Sequence, residues 1–241
     1  MKKFAAFDID GTLIRWQLYH AVVDRLAKNN LLGETAREEI RLARMRWKRR
    51  ENKNSFKAYE TLLISEYESA LHNLAVTDFD HAVSEVISEY KDQVYAYTRN
   101  LIKQLKAENY FLLAVSGSHQ ELISQIAKFY EFDDFVGSEY KRDGGKFTGE
   151  SFIASKNKST ILGSLIKKHS LDLKDSLAIG DSGSDAAMLK LVERPIAFNP
   201  DQDLLKFAKA AKWPIVVERK NVIYELTPNE HGYQLAESTS K

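Results

Sequence analysis

Residues 4–8 form a short apolar run, Phe-Ala-Ala-Phe closing on Asp8, that stops at Asp-Ile-Asp-Gly-Thr. That is the pattern of a buried strand ending in a tight turn. Residues 110–115 (Tyr-Phe-Leu-Leu-Ala-Val) predict a second strand and lead into Ser116-Gly-Ser118. A third apolar run, 176–179, leads into Gly180-Asp-Ser-Gly-Ser-Asp185, and 195–198 reads as a fourth. Between them, helical spacing of apolar residues covers 99–108, 120–130, 159–169, 185–191 and 201–211. Strands alternating with helices predict an α/β fold: a doubly wound parallel sheet built by right-handed crossovers, with helices on both faces.

The stretch 16–97 breaks this alternation. It is rich in Ala, Leu, Glu, Lys and Arg, and its apolar residues recur at helical intervals, as in Leu18, Val22, Leu26 and then Ile40, Ala43, Met45, Trp47. It predicts a separate helical module of about four helices. The organisation expected is a core of residues 1–14 and 98–228, a helical cap of residues 15–97, and a mobile polar tail at 229–241. Asp143-Gly-Gly-Lys146 is expected to turn a hairpin.

Composition narrows the function classes. Thirty-five basic residues meet thirty-four acidic ones, so no global field recruits nucleic acid or an anionic membrane. The chain has no cysteine, which excludes disulfides, thiolate metal sites and a cysteine nucleophile. The start, MKKFAAFDIDGTLI, is interrupted by Asp8 and Asp10 too early for a signal peptide. No stretch reaches the roughly 20 apolar residues a membrane span needs. The expectation is a cytoplasmic protein, monomer or homodimer, with a small-molecule partner.

Three polar clusters follow three predicted strands: Asp8-Ile-Asp10-Gly-Thr12, Ser116-Gly-Ser118, and Gly180-Asp181 with Asp185. In a doubly wound sheet they meet outside the strands' carboxyl ends, where ligands bind. Four aspartates converging there repel one another unless a hard cation is present, and carboxylate with water is the coordination Mg²⁺ prefers. Hydroxyls and turn amides beside such an ion can bind phosphate oxygens. Phosphoryl transfer needs an in-line nucleophile, charge neutralisation and a proton for the leaving oxygen. Asp8 can attack to give an aspartyl phosphate, and Asp10 can supply the proton and later take one from water.

Together with a downstream lysine, these clusters resemble the four motifs of the haloacid dehalogenase-like phosphatase superfamily. The helical insert after the first motif is similar to the phosphoserine-phosphatase-like branch. The resemblance implies that Asp8 is nucleophile and metal ligand, and that Asp10 is acid/base and binds Mg²⁺ through its backbone carbonyl. It makes Asp181 the third protein ligand and Asp185 a group that orients the metal's water or the lysine. Thr12 would brace the first loop, and Ser116 with Gly117 would bind phosphate. The lysine is Lys158 or Lys156; Lys158-Ser-Thr-Ile-Leu162 fits the pattern better. The overall reading is a Mg²⁺-dependent phosphatase acting on a small phosphate monoester, with a phosphotransferase or mutase and a non-catalytic phosphate-binding protein as alternatives.

The cap is where specificity is expected. Phosphoserine enzymes of this type carry a glutamate after the first motif to hold the substrate ammonium, and Gln17 stands at that place here. An amide is a poor partner for an ammonium, which argues against phosphoserine. Tyr19 is a further candidate for the pocket. The basic run around Arg49, from Arg41 to Lys57, either binds a second anionic group or forms a solvated face balanced by Glu38, Glu39 and Glu51.

Overall fold

The computed structural model describes residues 2–240. The chain forms two compact units: residues 1–16, 90–138 and 153–241, and residues 17–89 with 139–152. In chain order the elements are β1 (Lys2–Phe7), α1 (Leu18–Lys28), α2 (Glu34–Lys48), α3 (Ser55–Ala70), α4 (Val76–Tyr90), α5 (Ala96–Ala107), β2 (Phe111–His119), α6 (Gln120–Phe129), β3 (Asp134–Asp143) and β4 (Lys146–Phe152). There follow α7 (Lys158–His169), β5 (Leu171–Gly180), α8 (Ala186–Leu189), β6 (Arg194–Phe198), α9 (Gln202–Ala211), β7 (Ile215–Arg219), β8 (Val222–Asn229) and β9 (Gly232–Ser240).

The first unit is built on a sheet ordered β3-β2-β1-β5-β6-β7-β8-β9. Strands β3 through β7 pair in parallel, and β8 and β9 extend the edge antiparallel. β1 lies between β2 and β5, so the chain winds outward to one side, returns, and winds outward to the other. The crevice at such a reversal is where α/β sheets place ligands. Phe4, Ala5, Ala6 and Phe7 of β1 are all fully buried, as a central parallel strand covered on both faces requires. Phe4 and Ala6 join Leu113, Val115, Leu162 and Ala178 in one apolar core that fixes the three strand ends relative to one another.

The second unit contains α1, α2, α3, nearly all of α4 and the hairpin made by the second half of β3 with β4. On α3, Tyr59, Leu63 and Tyr67 follow one another at four-residue spacing, which lines them along one helix face, and all three are fully buried. Trp47 stacks on Tyr59 with ring centroids 5.4 Å apart. The hairpin turns at Asp143 and Lys146, where the sequence placed it. Phe147 packs edge-on against Phe79 at 5.4 Å, and Arg142 lies over both rings and pairs with Asp80 at 3.0 Å. These contacts assign 139–152 to the helical unit rather than to the core, where its position in the sequence had put it.

Residues 229–241 differ from the expected mobile tail. From Gly232 to Ser240 they form β9, paired antiparallel with β8; Lys241 lies outside the described residues. The reason is backbone pairing: a polar, exposed edge strand carries little apolar signal, yet it pairs with β8 from Asn229↔Gly232 to Val222↔Ser240, with one register shift between Glu225 and Leu226. Among the described residues, no helix is long and apolar enough to cross a membrane.

Candidate active site

Asp8 follows the last residue of β1, and its amide donates to Ile179 O on β5 at 3.0 Å. Gly11 then takes φ +77°, a left-handed conformation that lets the loop fold back so that its amide reaches Ile14 O at 3.0 Å. Inside this turn Thr12 Oγ1 donates to Asp8 Oδ2 at 3.1 Å. Thr98 on α5 donates to Thr12 O at 2.9 Å and closes the brace from behind.

Lys158 opens α7, where a cation meets the positive end of the helix dipole. Two carboxylates offset that. Lys158 Nζ donates to Asp8 Oδ1 at 2.6 Å and to Asp185 Oδ1 at 2.5 Å, with all three side chains buried. Against burial, which favours the neutral amine, Asp185 and Asp8 hold the Lys158 ammonium above the ordinary lysine range. Lys156 is exposed at the end of a single turn before α7, so the lysine that reaches Asp8 is Lys158.

Asp185 is saturated. Its second oxygen accepts from the Asp181 amide (3.2 Å), the Ser182 amide (3.0 Å) and the Ser182 hydroxyl (3.0 Å). Ser182 and Asp185 form a reciprocal cap on a one-turn helix. Gly180 permits it: a Cβ there would stand 2.5 Å from the Cβ and Cγ of Asp185. The role of Ser182 was missed in the sequence reading, although Ser182-x-x-Asp185 is a legible capping pattern.

Carboxylate oxygens of Asp8, Asp181 and Asp185 lie within 4.8 Å of one another. Burial, opposed by Lys158 and reinforced by Asp185 and Asp10, pushes Asp8 up to about 7. Asp181 is driven well above the carboxylate range by burial and by its neighbours Asp8 and Asp185. When all three are ionised, the carboxylates against one ammonium leave two negative charges, which suits a divalent cation. Among the described residues Asp181's carboxylate accepts no hydrogen bond, which leaves its oxygens available to a metal. Asp185, with both oxygens occupied, suits the positioning of Lys158 and the Asp181 loop instead.

Asp10 is buried but its carboxylate is not in that group of three; Oδ2 accepts the Ser116 hydroxyl at 2.5 Å. The Ser118 amide in turn donates to Ser116 Oγ at 3.0 Å. Gly117 O receives Ser138 Oγ at 2.7 Å, and a Cβ at Gly117 would press to 3.0 Å from Ser155 Cβ. Asp8, Asp10, Thr12, Ser116, Gly117, Lys158, Asp181 and Asp185 therefore all belong to one unit, on loops after β1 and β5, on β2, and at the start of α7.

The remaining three candidates belong to the other unit. Gln17 precedes α1, and Tyr19 packs edge-on against Tyr67 at 5.4 Å. Arg49 follows α2 and is exposed.

A buried lysine shared between carboxylates thus stands at the reversal of a doubly wound sheet, beside an acid-hydroxyl pair. The chain belongs to the haloacid dehalogenase-like hydrolase family, whose model matches residues 5–190. It is an enzyme, and its likeness runs to the phosphoserine-phosphatase-like branch. A histidinol-phosphatase of Neisseria meningitidis serogroup C (strain 8013) is 24% identical over 231 residues, covering 90% of this chain and 99% of that one. The phosphoserine phosphatase of Methanocaldococcus jannaschii is 26% identical over 201 residues, covering 82% of this chain and 85% of that one. A solved phospho-aspartyl intermediate analogue of phosphoserine phosphatase shares the fold at TM-score 0.60 and 21% identity, covering 91% of this chain and 94% of that one.

Proposed function

We propose that this chain is a Mg²⁺-dependent phosphatase that hydrolyses a small phosphate monoester through an aspartyl phosphate on Asp8. The observation that carries this reading is Lys158 bridging Asp8 and Asp185 inside the buried carboxylate cluster. Asp8 is a carboxylate pinned at both oxygens, by Lys158 and Thr12, and so aimed without rotational freedom. Its attack on phosphorus forms the Asp8–phosphorus bond as the ester oxygen departs. Asp10 gives that oxygen a proton, then takes one from the water that releases phosphate and restores Asp8.

Ser116 has one hydroxyl proton, which Asp10 receives in the resting arrangement. An incoming phosphate oxygen competes for it, so substrate arrival rearranges the Ser116–Asp10 contact. Lys158 stays beside Asp8 and neutralises the phosphoryl oxygens as charge accumulates. Held by Asp8, Asp181 and the Asp10 carbonyl, Mg²⁺ would keep the carboxylates ionised and screen the phosphoryl group from them.

Substrate choice falls to the helical unit, with Gln17, Tyr19 and Arg49 as the residues proposed to read it. Gln17 supplies no negative charge for an ammonium, which counts against phosphoserine and equally against histidinol phosphate, the substrate class that the name of the Neisseria relative suggests. The test is phosphate release from histidinol phosphate, phosphoserine and an aryl phosphate, with Mg²⁺ or chelator, by wild type and Asp8→Asn. Mg²⁺-dependent turnover, lowered at least roughly a thousandfold in the folded variant, is expected. Turnover that survives Asp8→Asn would remove the aspartyl-phosphate route.

A further inference from the structure

Strands β2 and β3 run in register from Leu113↔Asp134 to Val115↔Val136 and meet again at His119↔Ser138. Between those pairs Ser116-Gly117-Ser118 stands against Gly137 alone, so the candidate phosphate-binding turn is a bulge that falls out of the ladder. A buried carbonyl in such a bulge needs a donor from elsewhere. Ser138 Oγ supplies it, donating to Gly117 O at 2.7 Å. At the other end of the same peptide the Ser118 amide donates to Ser116 Oγ at 3.0 Å. The peptide between Gly117 and Ser118 is thus pinned at both ends, next to a glycine with no side chain to restrict its own torsions. β3 is pressed closely against this turn: a Cβ at Gly137 would stand 2.8 Å from Ser118 O.

Ser138 is 1% exposed, and its hydroxyl is used twice. Its proton goes to Gly117 O, and its oxygen accepts the Ala154 amide at 3.0 Å. The first unit's chain breaks off after Ser138 and resumes at Ile153, so this hydroxyl clasps the two ends of the excursion into the second unit. Ala154 also opens the single turn that ends at Lys156, and its carbonyl accepts the Asn157 amide at 2.9 Å just before Lys158. One side chain therefore holds the Ser116–Ser118 turn and the approach to Lys158 in fixed relation. On the phosphatase reading above, we propose that Ser138 is a positioning residue: its hydroxyl sets the turn in which Ser116 and the Gly117 amide receive the phosphoryl oxygens, in register with Lys158. Misplacing such a turn by a fraction of its hydrogen-bond length is costly to binding and to the chemical step alike.

The test compares Ser138→Ala, Ser138→Thr and Ser138→Val: threonine keeps the hydroxyl, and valine repeats threonine's shape without it. Each full chain is titrated with inorganic phosphate in the presence of Mg²⁺, followed by phosphorus NMR, and assayed for kcat and KM on an aryl phosphate. Phosphate affinity and kcat/KM per folded molecule should fall roughly tenfold or more in Ser138→Ala and Ser138→Val, and stay within about threefold of wild type in Ser138→Thr. Melting curves set the folded fraction. Should the branched variants not fold, Ser138→Ala decides alone by its phosphate affinity. Wild-type affinity in folded Ser138→Ala, a loss in Ser138→Thr as deep as in Ser138→Val, or no phosphate binding by the wild type would each overturn the assignment. Phosphate binding that follows the expected order without any turnover would remove the phosphatase reading and support Ser138 in its role. Mg²⁺-dependent turnover lost in Asp8→Asn but indifferent to Ser138→Ala would do the reverse.

Discussion

Where the first unit buries charge, the second buries rings. Asp8, Lys158 and Asp185 are 3, 4 and 0% exposed and share their hydrogen bonds. In the helical unit Tyr59, Leu63 and Tyr67 are equally buried, but ion pairs such as Arg41–Glu38 stand more than half exposed. The difference predicts how each unit fails. Removing one member of a buried charge network strands the others in a medium that does not solvate them. Removing one ring leaves a cavity that neighbours partly fill.

The largest effect is expected at Lys158. Lys158→Met should destabilise the metal-free protein by about 3–5 kcal/mol in urea unfolding, because Asp8 and Asp185 lose their shared ammonium. Phosphate release should fall with it. Lys158→Arg should not restore either property, since a planar fork does not fit a space shaped around one nitrogen between two oxygens. A Lys158→Met protein as stable as wild type would erase the contrast between the units.

Next comes the response to pH and metal. An unfolded aspartate titrates near 3.8, while Asp8 in the folded protein stands at about 7 and Asp181 is raised as well. Between about pH 4 and about pH 7 the folded state holds protons that the unfolded chain has released. Stability of the metal-free protein should therefore fall as pH rises through this window. Melting temperatures in chelator at about pH 5 and about pH 8 check the sign. Mg²⁺ binds the ionised form, so it should stabilise more at the higher pH. A chelated protein that melts higher at the alkaline end would contradict the buried-carboxylate account.

This contrast also explains what the sequence made legible. The polar residues of the site sit directly after apolar runs, so Asp8, Ser116 and Asp181 were candidates by position, whereas the sequence left the lysine between Lys158 and Lys156 because both stand near the start of one helix. Fold class followed from the same alternation of strands and helices. The hairpin of β3 and β4 was visible as a turn, yet its place beside α4 depends on Phe79, Arg142 and Phe147, residues remote in sequence. β9 was hidden for a related reason: Gln234, Glu237, Ser238 and Thr239 are polar, and only pairing with β8 makes them a strand. Local pattern carries strand ends well and long-range pairing poorly.

A smaller effect is expected in the helical unit. Trp47 stacks on Tyr59 with planes 11° apart and meets Phe56 at 5.0 Å. Trp47→Leu keeps an apolar group there but loses the aromatic contacts, and should lower stability by about 1–2 kcal/mol. Turnover of an aryl phosphate per folded molecule should stay within about twofold of wild type. A loss as large as that of Lys158→Met would mean that the ring cluster is as unforgiving as the charge network.

Arg49 marks the small end of the scale and separates stability from recognition. Exposed and following α2, it has no buried partner to strand, so Arg49→Gln should change stability by no more than about 0.5 kcal/mol. If Arg49 reads a second anionic group, the variant raises KM only for substrates that carry one, leaving kcat and the aryl phosphate untouched. A change in KM shared by both substrate types would assign the effect to the phosphoryl group instead. No change for either would return the basic run to a solvated helical face, and the search for specificity would move to Gln17 and Tyr19.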